Sequence, residues 1–344
     1  MRGFEGYKHG VNLGGWLSQA DATTEEHFNT FITGADIARI AGMGLDHVRL
    51  PVDYNWIEDE DGNPIEAGYQ HIDDCAGWCA ANDLNLLIDL HKAFGYTFDP
   101  LDANADREIF FHDAALQERF IALWRRIAGR YASQGHVAFE LLNEVVPATV
   151  VNAWNSIADR AIAAIREVAP TAWVVVGGVR YNNVRSVPLL ATPPDGRVVY
   201  NFHCYEPMVF THQKAYWVEN MPKDLEVVYP DDLEKYQALS RQLSFDLAGA
   251  IAGQPVEALG LQFFEALFAP AIEAAGRNGA PLYCGEYGVI DQAPVDSAVR
   301  WLKDISAAFE RHGIGRALWN YKCKDFGLVD AHYDGVREEI IRYL

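Results

Sequence analysis

Residues 137–145 read VAFELLNEV, a short and largely apolar run closed by an amide and a carboxylic acid, Asn143 and Glu144. The apolar part has the length and composition of a buried strand, and Glu144 stands where that packing stops. An Asn-Glu pair by itself also fits an ordinary solvated strand end. What separates the two readings is whether other strands end in the same way.

Comparable runs lie at about 8–13 (HGVNL), 46–51 (DHVRLP), 85–90 (NLLIDL), 172–178 (AWVVVGG), 198–204 (VVYNFHC), 281–286 (PLYCGE) and 316–320 (RALWN). With 137–143 they make eight. Segments of helical period lie between and after them, near 34–43, 69–83, 114–132, 149–168, 261–278, 295–312 and 335–343, with a weaker candidate at 183–190. Eight alternating strand–helix units imply right-handed crossovers and a closed (β/α)8 TIM barrel. The 344 residues suit one such barrel, so the whole chain, 1–344, is expected to form a single catalytic domain. The spacing from the sixth strand to the seventh is much longer than the others. The excess, about 206–260, predicts an aromatic-rich loop and a helical insertion between strand six and helix six, placed over the mouth of the barrel.

Composition removes several classes of partner. The formal charge is −20 and Lys and Arg do not cluster, so no nucleic-acid partner is expected. No stretch reaches the roughly 18 apolar residues of a membrane span, so no membrane association is expected. Nor does the N-terminus carry the apolar run of a secretory leader, and a cytoplasmic location is expected of the chain as written, or secretion if a leader has been removed. The five cysteines are odd in number and scattered, which does not make a disulfide framework; Cys75 and Cys79, four apart on a helix, read as buried thiols. A monomer without any cofactor is expected.

In a barrel of this kind chemistry sits at the C-terminal ends of the strands. Strand two ends near Arg49, strand three at His91, strand four at Asn143 and Glu144, strand six at His203 and Tyr205, strand seven at Glu286 and strand eight at Trp319. Each alone has an ordinary structural reading. Together they would bury charge that a structural account must explain and an active site explains directly.

Strands four and seven face each other across a barrel, so Glu144 and Glu286 can flank one bond. That is the arrangement glycoside hydrolysis uses: one carboxylic acid to protonate the leaving oxygen, one carboxylate at the anomeric carbon. Repulsion from Glu286 is expected to keep Glu144 protonated, and Tyr205 and Arg49 to keep Glu286 ionised. Asn143 is placed to bond a sugar 2-hydroxyl. A metal reading of His91, His203, Glu144 and Glu286 lacks support from sequence, since the first strand ends in NLGGW without H-x-H and no H-E-x-x-H occurs. No metal is expected.

These residues carry a resemblance. The chain resembles glycoside hydrolase family 5, the cellulase-type retaining β-glycanases, from GVNLGGW to FGLVD, and matches all eight of the family's site positions: Arg49, His91, Asn143, Glu144, His203, Tyr205, Glu286 and Trp319. The resemblance implies a β-glucan substrate, Glu144 as acid/base, Glu286 as nucleophile and Trp319 as a stacking platform. Tyr287 stands where the family often has Phe or Trp. Cys204, between His203 and Tyr205, points away by strand alternation and is expected to pack. The expected activity is endo-hydrolysis of β-1,4 or mixed β-1,3/1,4 glucans. The rivals are an exo-acting β-1,3-glucanase or β-glucosidase, since GVNLGGW is shared with such enzymes, and a catalytically silent sugar-binding barrel, which would be expected to lose one of the two glutamates.

Overall fold

In the computed structural model, which describes residues 2–102 and 108–344, eight parallel strands close into a barrel in sequence order. They are β1 (His9–Asn12), β2 (His47–Asp53), β3 (Asn85–Lys92), β4 (Val137–Glu140), β5 (Val174–Gly177), β6 (Val198–Cys204), β7 (Leu282–Tyr287) and β8 (Gly315–Leu318). β1 pairs with both β2 and β8, which closes the ring. The helices Gly34–Gly42, Glu66–Ala81, Ala114–Tyr131, Val151–Val168, Leu261–Asn278 and Val295–His312 alternate with the strands.

The core has two parts, and strand alternation explains both. Leu87, Ala138, Val175, Val199, Tyr283 and Ala317, one from each of six strands, join Phe4 and Tyr7 in a small cluster that fills the bottom of the barrel. The larger cluster is the shell between the sheet and its helices, where Phe139, Phe202 and Cys204 meet residues such as Trp124, Phe268 and Phe309. Side chains two positions further along the inward rows (Asp89, Glu140, Asn201) are polar and buried. The barrel is thus apolar at its base and ionic above it.

Some boundaries differ from those expected. β4 ends at Glu140, so Asn143 and Glu144 follow the strand in the connection to the next helix. β2 continues to Asp53, which makes Arg49 an interior residue of its strand, and Trp319 comes directly after β8. These shifts arise because a backbone can stay buried and bonded to its neighbours after leaving ladder geometry: Asn143 N–H still donates to Leu90 O at 3.1 Å. The segment 183–190 is a 3-10 helix, Val184–Leu189, and the C-terminal helix is confined to Arg337–Ile341. Residues 206–260 hold the short helices Met208–Thr211, Leu233–Gln242 and Leu247–Ala250, whose Phe210, Leu233, Tyr236 and Leu247 are buried in the shell core. Cys75, Cys79, Cys204 and Cys284 are buried free thiols and Cys323 is exposed. Among the described residues no helix is long and apolar enough to cross a membrane.

Candidate active site

Arg49 organises the layer above the apolar plug. Its Nε donates to Glu140 at 2.7 Å, Nη2 to Glu140 and Asn143 at 2.9 and 2.8 Å, and Nη1 to Asn12 and Glu286 at 2.9 and 2.8 Å. Asp89 lies 3.1 Å from Nη2. The guanidinium is fully buried, and a cation in that position persists only with carboxylates around it. Burial pushes Asp89 and Glu140 up to about 7, with Arg49 pulling both the other way.

Glu286 is aimed by an irregularity in β7. Phe202 pairs with Cys284 and His203 with Glu286, so Gly285 is an extra residue on β7 and forms a bulge. A side chain at 285 would bring its Cβ to 2.8 Å from Asn201, which is why the position is glycine. The Glu286 carboxylate then takes Arg49 Nη1 on Oε1 and the Tyr205 hydroxyl on Oε2, the latter at 3.0 Å. Burial raises its pKa, and the Arg49 charge and Tyr205 hydrogen bond oppose the rise.

Glu144 has different surroundings. Its side chain is 12 % exposed, and Oε1 lies 2.8 Å from His203 Nδ1. Burial holds the Glu144 pKa well above the ordinary carboxylate range, with Glu286 the next cause; repulsion alone, the cause expected from sequence, ranks second. His203 and His91 are pushed well below the usual imidazole range, chiefly by burial, so both are neutral near pH 7. The loop that carries Glu144 is clamped by Tyr96, whose hydroxyl donates to the Glu144 carbonyl and accepts from Val146 N–H at 2.8 Å.

The remaining expected residues converge on the same mouth. His91 bonds Asp89 through Nδ1 at 2.5 Å, and its ring lies parallel to Trp319 at 5.9 Å. Trp319 in turn lies against Gly14, where a Cβ would come within 2.5 Å of the indole, and this gives a physical role to the first glycine of NLGGW. All eight residues read from the sequence are therefore gathered in one layer. Sequence reasoning missed Asn12, Asp89, Glu140 and Asn201, which surround Arg49 and brace His91 and the Gly285 backbone. The available signal was polarity at inward positions of otherwise apolar strands, most plainly Glu140 inside VAFELLNEV itself.

Glu144, His203 and Glu286 offer ligand atoms within 4.8 Å of one another, a set capable of holding a metal ion. In this geometry each already has a protein partner: His203 on Glu144, and Arg49 with Tyr205 on Glu286. The arrangement provides two buried carboxylates, one beside a cation and a phenol, the other beside a neutral imidazole. Two carboxylates in such unlike surroundings differ in proton affinity.

The family model for cellulase, glycosyl hydrolase family 5, matches residues 8–325. The chain is 39% identical over 349 residues to Endoglucanase C of Acetivibrio thermocellus, covering 98% of both chains. It is 41% identical over 308 residues to Cellodextrinase A of Ruminococcus flavefaciens, covering 89% of this chain and 83% of that one. The cellulose synthase subunit Z of Clostridioides difficile has the same fold, with a TM-score of 0.77 at 22% identity over 98% of this chain and 99% of that one. The matching family model and the near full-length relatives agree with the geometry of the barrel mouth: the chain belongs to glycosyl hydrolase family 5, the cellulase family, and is a glycoside hydrolase.

Proposed function

We propose that the protein is a retaining endo-β-glucanase acting on β-1,4 or mixed β-1,3/1,4 glucans. The observation that carries this reading is the asymmetry of two close carboxylates. One oxygen of Glu144 and one of Glu286 lie within 4.8 Å, a closeness that supports the short carboxyl separation of retaining enzymes, about 5–5.5 Å.

In the first step Glu286 attacks the anomeric carbon, the glycosidic C–O bond breaks, and Glu144 gives its proton to the departing oxygen. A glycosyl ester and a free sugar end result. Glu286 is then neutral, so its repulsion of Glu144 disappears and Glu144 can act as a base. Water attacks the same carbon, its proton goes to Glu144, and the ester C–O bond breaks to restore the Glu286 carboxylate. Asn143 Nδ2 and His203 Nε2 are buried without a protein partner among the described residues, which supports roles in bonding sugar hydroxyls. Trp319 supplies a flat apolar face for the adjoining ring, and His91 backs it.

Residues 206–260 are proposed as one wall of the cleft. His212 from this segment packs edge-on against Tyr205 at 4.9 Å, and both His212 and Trp217 contact Phe326. A second reading, preference for short β-1,4-linked oligosaccharides, is favoured by the identity to Cellodextrinase A. Assaying lichenan, carboxymethyl cellulose, laminarin, xylan, mannan and cellopentaose with product sizing separates them. The endo-glucanase reading expects a ladder of products from lichenan or carboxymethyl cellulose, with the β-anomer appearing first by NMR. Hydrolysis confined to xylan or mannan, or α-anomer as first product, would contradict it.

A further inference from the structure

Glu140 is fully buried, and the two-step reaction does not consume it. Its two oxygens clasp Arg49 side-on, through Nε at 2.7 Å and Nη2 at 2.9 Å. Such a fork fixes the plane of the guanidinium and leaves Nη1 pointing at Glu286. Glu140 Oε1 also accepts from Asn201 Nδ2 at 2.8 Å, and Asn201 Oδ1 accepts the Gly285 N–H at 2.8 Å. The Gly285 carbonyl accepts from Asn12 Nδ2 at 2.9 Å, and Asn12 Oδ1 accepts from Arg49 Nη1 at 2.9 Å. The path closes on itself through five residues of β1, β2, β4, β6 and β7. Held inside it, by both its N–H and its carbonyl, is the bulged glycine that immediately precedes Glu286.

We propose that Glu140 is a positioning residue for the hydrolysis: its carboxylate locks the Arg49 fork and, through Asn201, the Gly285 bulge, so that Glu286 meets the anomeric carbon in one orientation. The inference rests on the assignment of Glu286 as nucleophile. Two observations make the role more than packing. A fully buried carboxylate that only filled space would be replaced by an apolar side chain without loss, whereas here both partners of Glu140 reach the nucleophile's strand, Arg49 on Glu286 itself and Asn201 on the Gly285 N–H. The ring also joins the two side chains that bond the bulged glycine directly, Asn12 on its carbonyl and Asn201 on its N–H.

Replacement by Gln keeps one carbonyl acceptor and turns the other oxygen into an amide that must face a donor, Arg49 or Asn201. It also removes a negative charge from the surroundings of Glu144, which comprise Glu286, Asp89 and Glu140 on the acidic side, Arg49 on the basic side and neutral His203. Glu144 works protonated, so the basic limb of the pH–rate profile is expected to move to lower pH in Glu140→Gln. Asn201→Ala breaks the link to Gly285 and leaves the charge in place. It is expected to lower kcat and leave that limb where it is.

The test measures steady-state kinetics on an aryl β-cellobioside, and the rate of covalent labelling by 2,4-dinitrophenyl 2-deoxy-2-fluoro-β-cellobioside, for wild type and both variants. The expected result is one label per wild-type chain on Glu286. Glu140→Gln should lose about 100-fold in kcat and in labelling rate, the scale of a displaced reacting group, with KM little changed. Asn201→Ala should lose about tenfold in both, a part of the same misplacement. Wild-type labelling at Glu286 together with wild-type labelling rates in both variants would overturn the inference, as would a lowered Tm with kcat and both pH limbs unchanged. If Glu140→Gln does not fold, Asn201→Ala decides alone by the same criterion. Labelling of the wild type elsewhere than Glu286 would overturn the nucleophile assignment itself.

Discussion

The ends of β4 and β7 each deliver a glutamate to the same space, and the two are treated in opposite ways. Glu286 sits on a strand bulge with a guanidinium at 2.8 Å and a phenol at 3.0 Å. Glu144 lies in the connection past its strand, beside an imidazole that burial keeps neutral, and among the described residues no cation hydrogen-bonds it. Two identical side chains at similar depth are thus driven apart in proton affinity by their neighbours, and the proposed division into acid and nucleophile rests on that separation. Burial raises both, and Arg49 opposes the rise in both, but it hydrogen-bonds Glu286.

The largest test of this contrast removes the acid. Glu144→Gln is expected to lose about 10²–10⁴-fold in kcat on a natural glucan, and to form the glycosyl ester from a 2,4-dinitrophenyl glycoside at nearly the wild-type rate, because that leaving group needs no proton. Equal losses on both substrates would break the assignment. Next is the cation. Arg49→Met leaves several buried carboxylates uncompensated and should cost about 3–5 kcal/mol in stability and about 10²–10³-fold in kcat. Glu286 works ionised, above its pKa, and Arg49 lowers that pKa; its removal therefore moves the acid limb of the pH–rate profile to higher pH. An unmoved limb in folded protein would show that Arg49 does not tune Glu286.

A smaller effect is expected from Tyr205→Phe, which removes a hydrogen bond to a charged oxygen, worth about 1.5 kcal/mol or roughly tenfold in kcat, with the same upward direction for the acid limb. The least is thermal. Folded Glu144 keeps its proton at a pH where the unfolded chain has released it, so this group's contribution to stability falls as pH rises from about 4.5 toward neutrality. The Tm of Glu144→Gln relative to wild type should accordingly climb by a few degrees between pH 5 and 7, and a flat difference would contradict the raised pKa.

How much of this was legible beforehand follows from what each residue does. The eight strands could be read because each is a short apolar run with a marked end, and the eight candidate residues that meet at the barrel mouth because polar groups at strand ends stand out. Strand limits were less legible: Leu141 and Leu142 in VAFELLNEV are as apolar and as buried as strand, and only the ladder pairing shows that β4 has stopped at Glu140. Glu140 was passed over for a related reason. One charge inside an apolar run looks like a single exposed position, and nothing local reveals that Arg49, 91 residues earlier, will meet it. Asn12 and Asn201 belong to the same class, since their significance lies in a bulge on β7 that forms only when β6 and β7 pair. The glycine before Glu286 has a mechanical reason that only the fold reveals, the space that Asn201 occupies.

The central claim, that Glu144 and Glu286 divide acid and nucleophile between them, is tested most directly by azide rescue. Glu144→Ala and Glu286→Ala are each incubated with an activated aryl β-glycoside and sodium azide, and the anomeric configuration of the glycosyl azide is read by ¹H NMR. The account predicts the β-azide from Glu144→Ala, formed by attack on an intact glycosyl ester, and the α-azide from Glu286→Ala, formed by direct displacement in the space the carboxylate has left. The opposite assignment, or the same anomer from both variants, would contradict it.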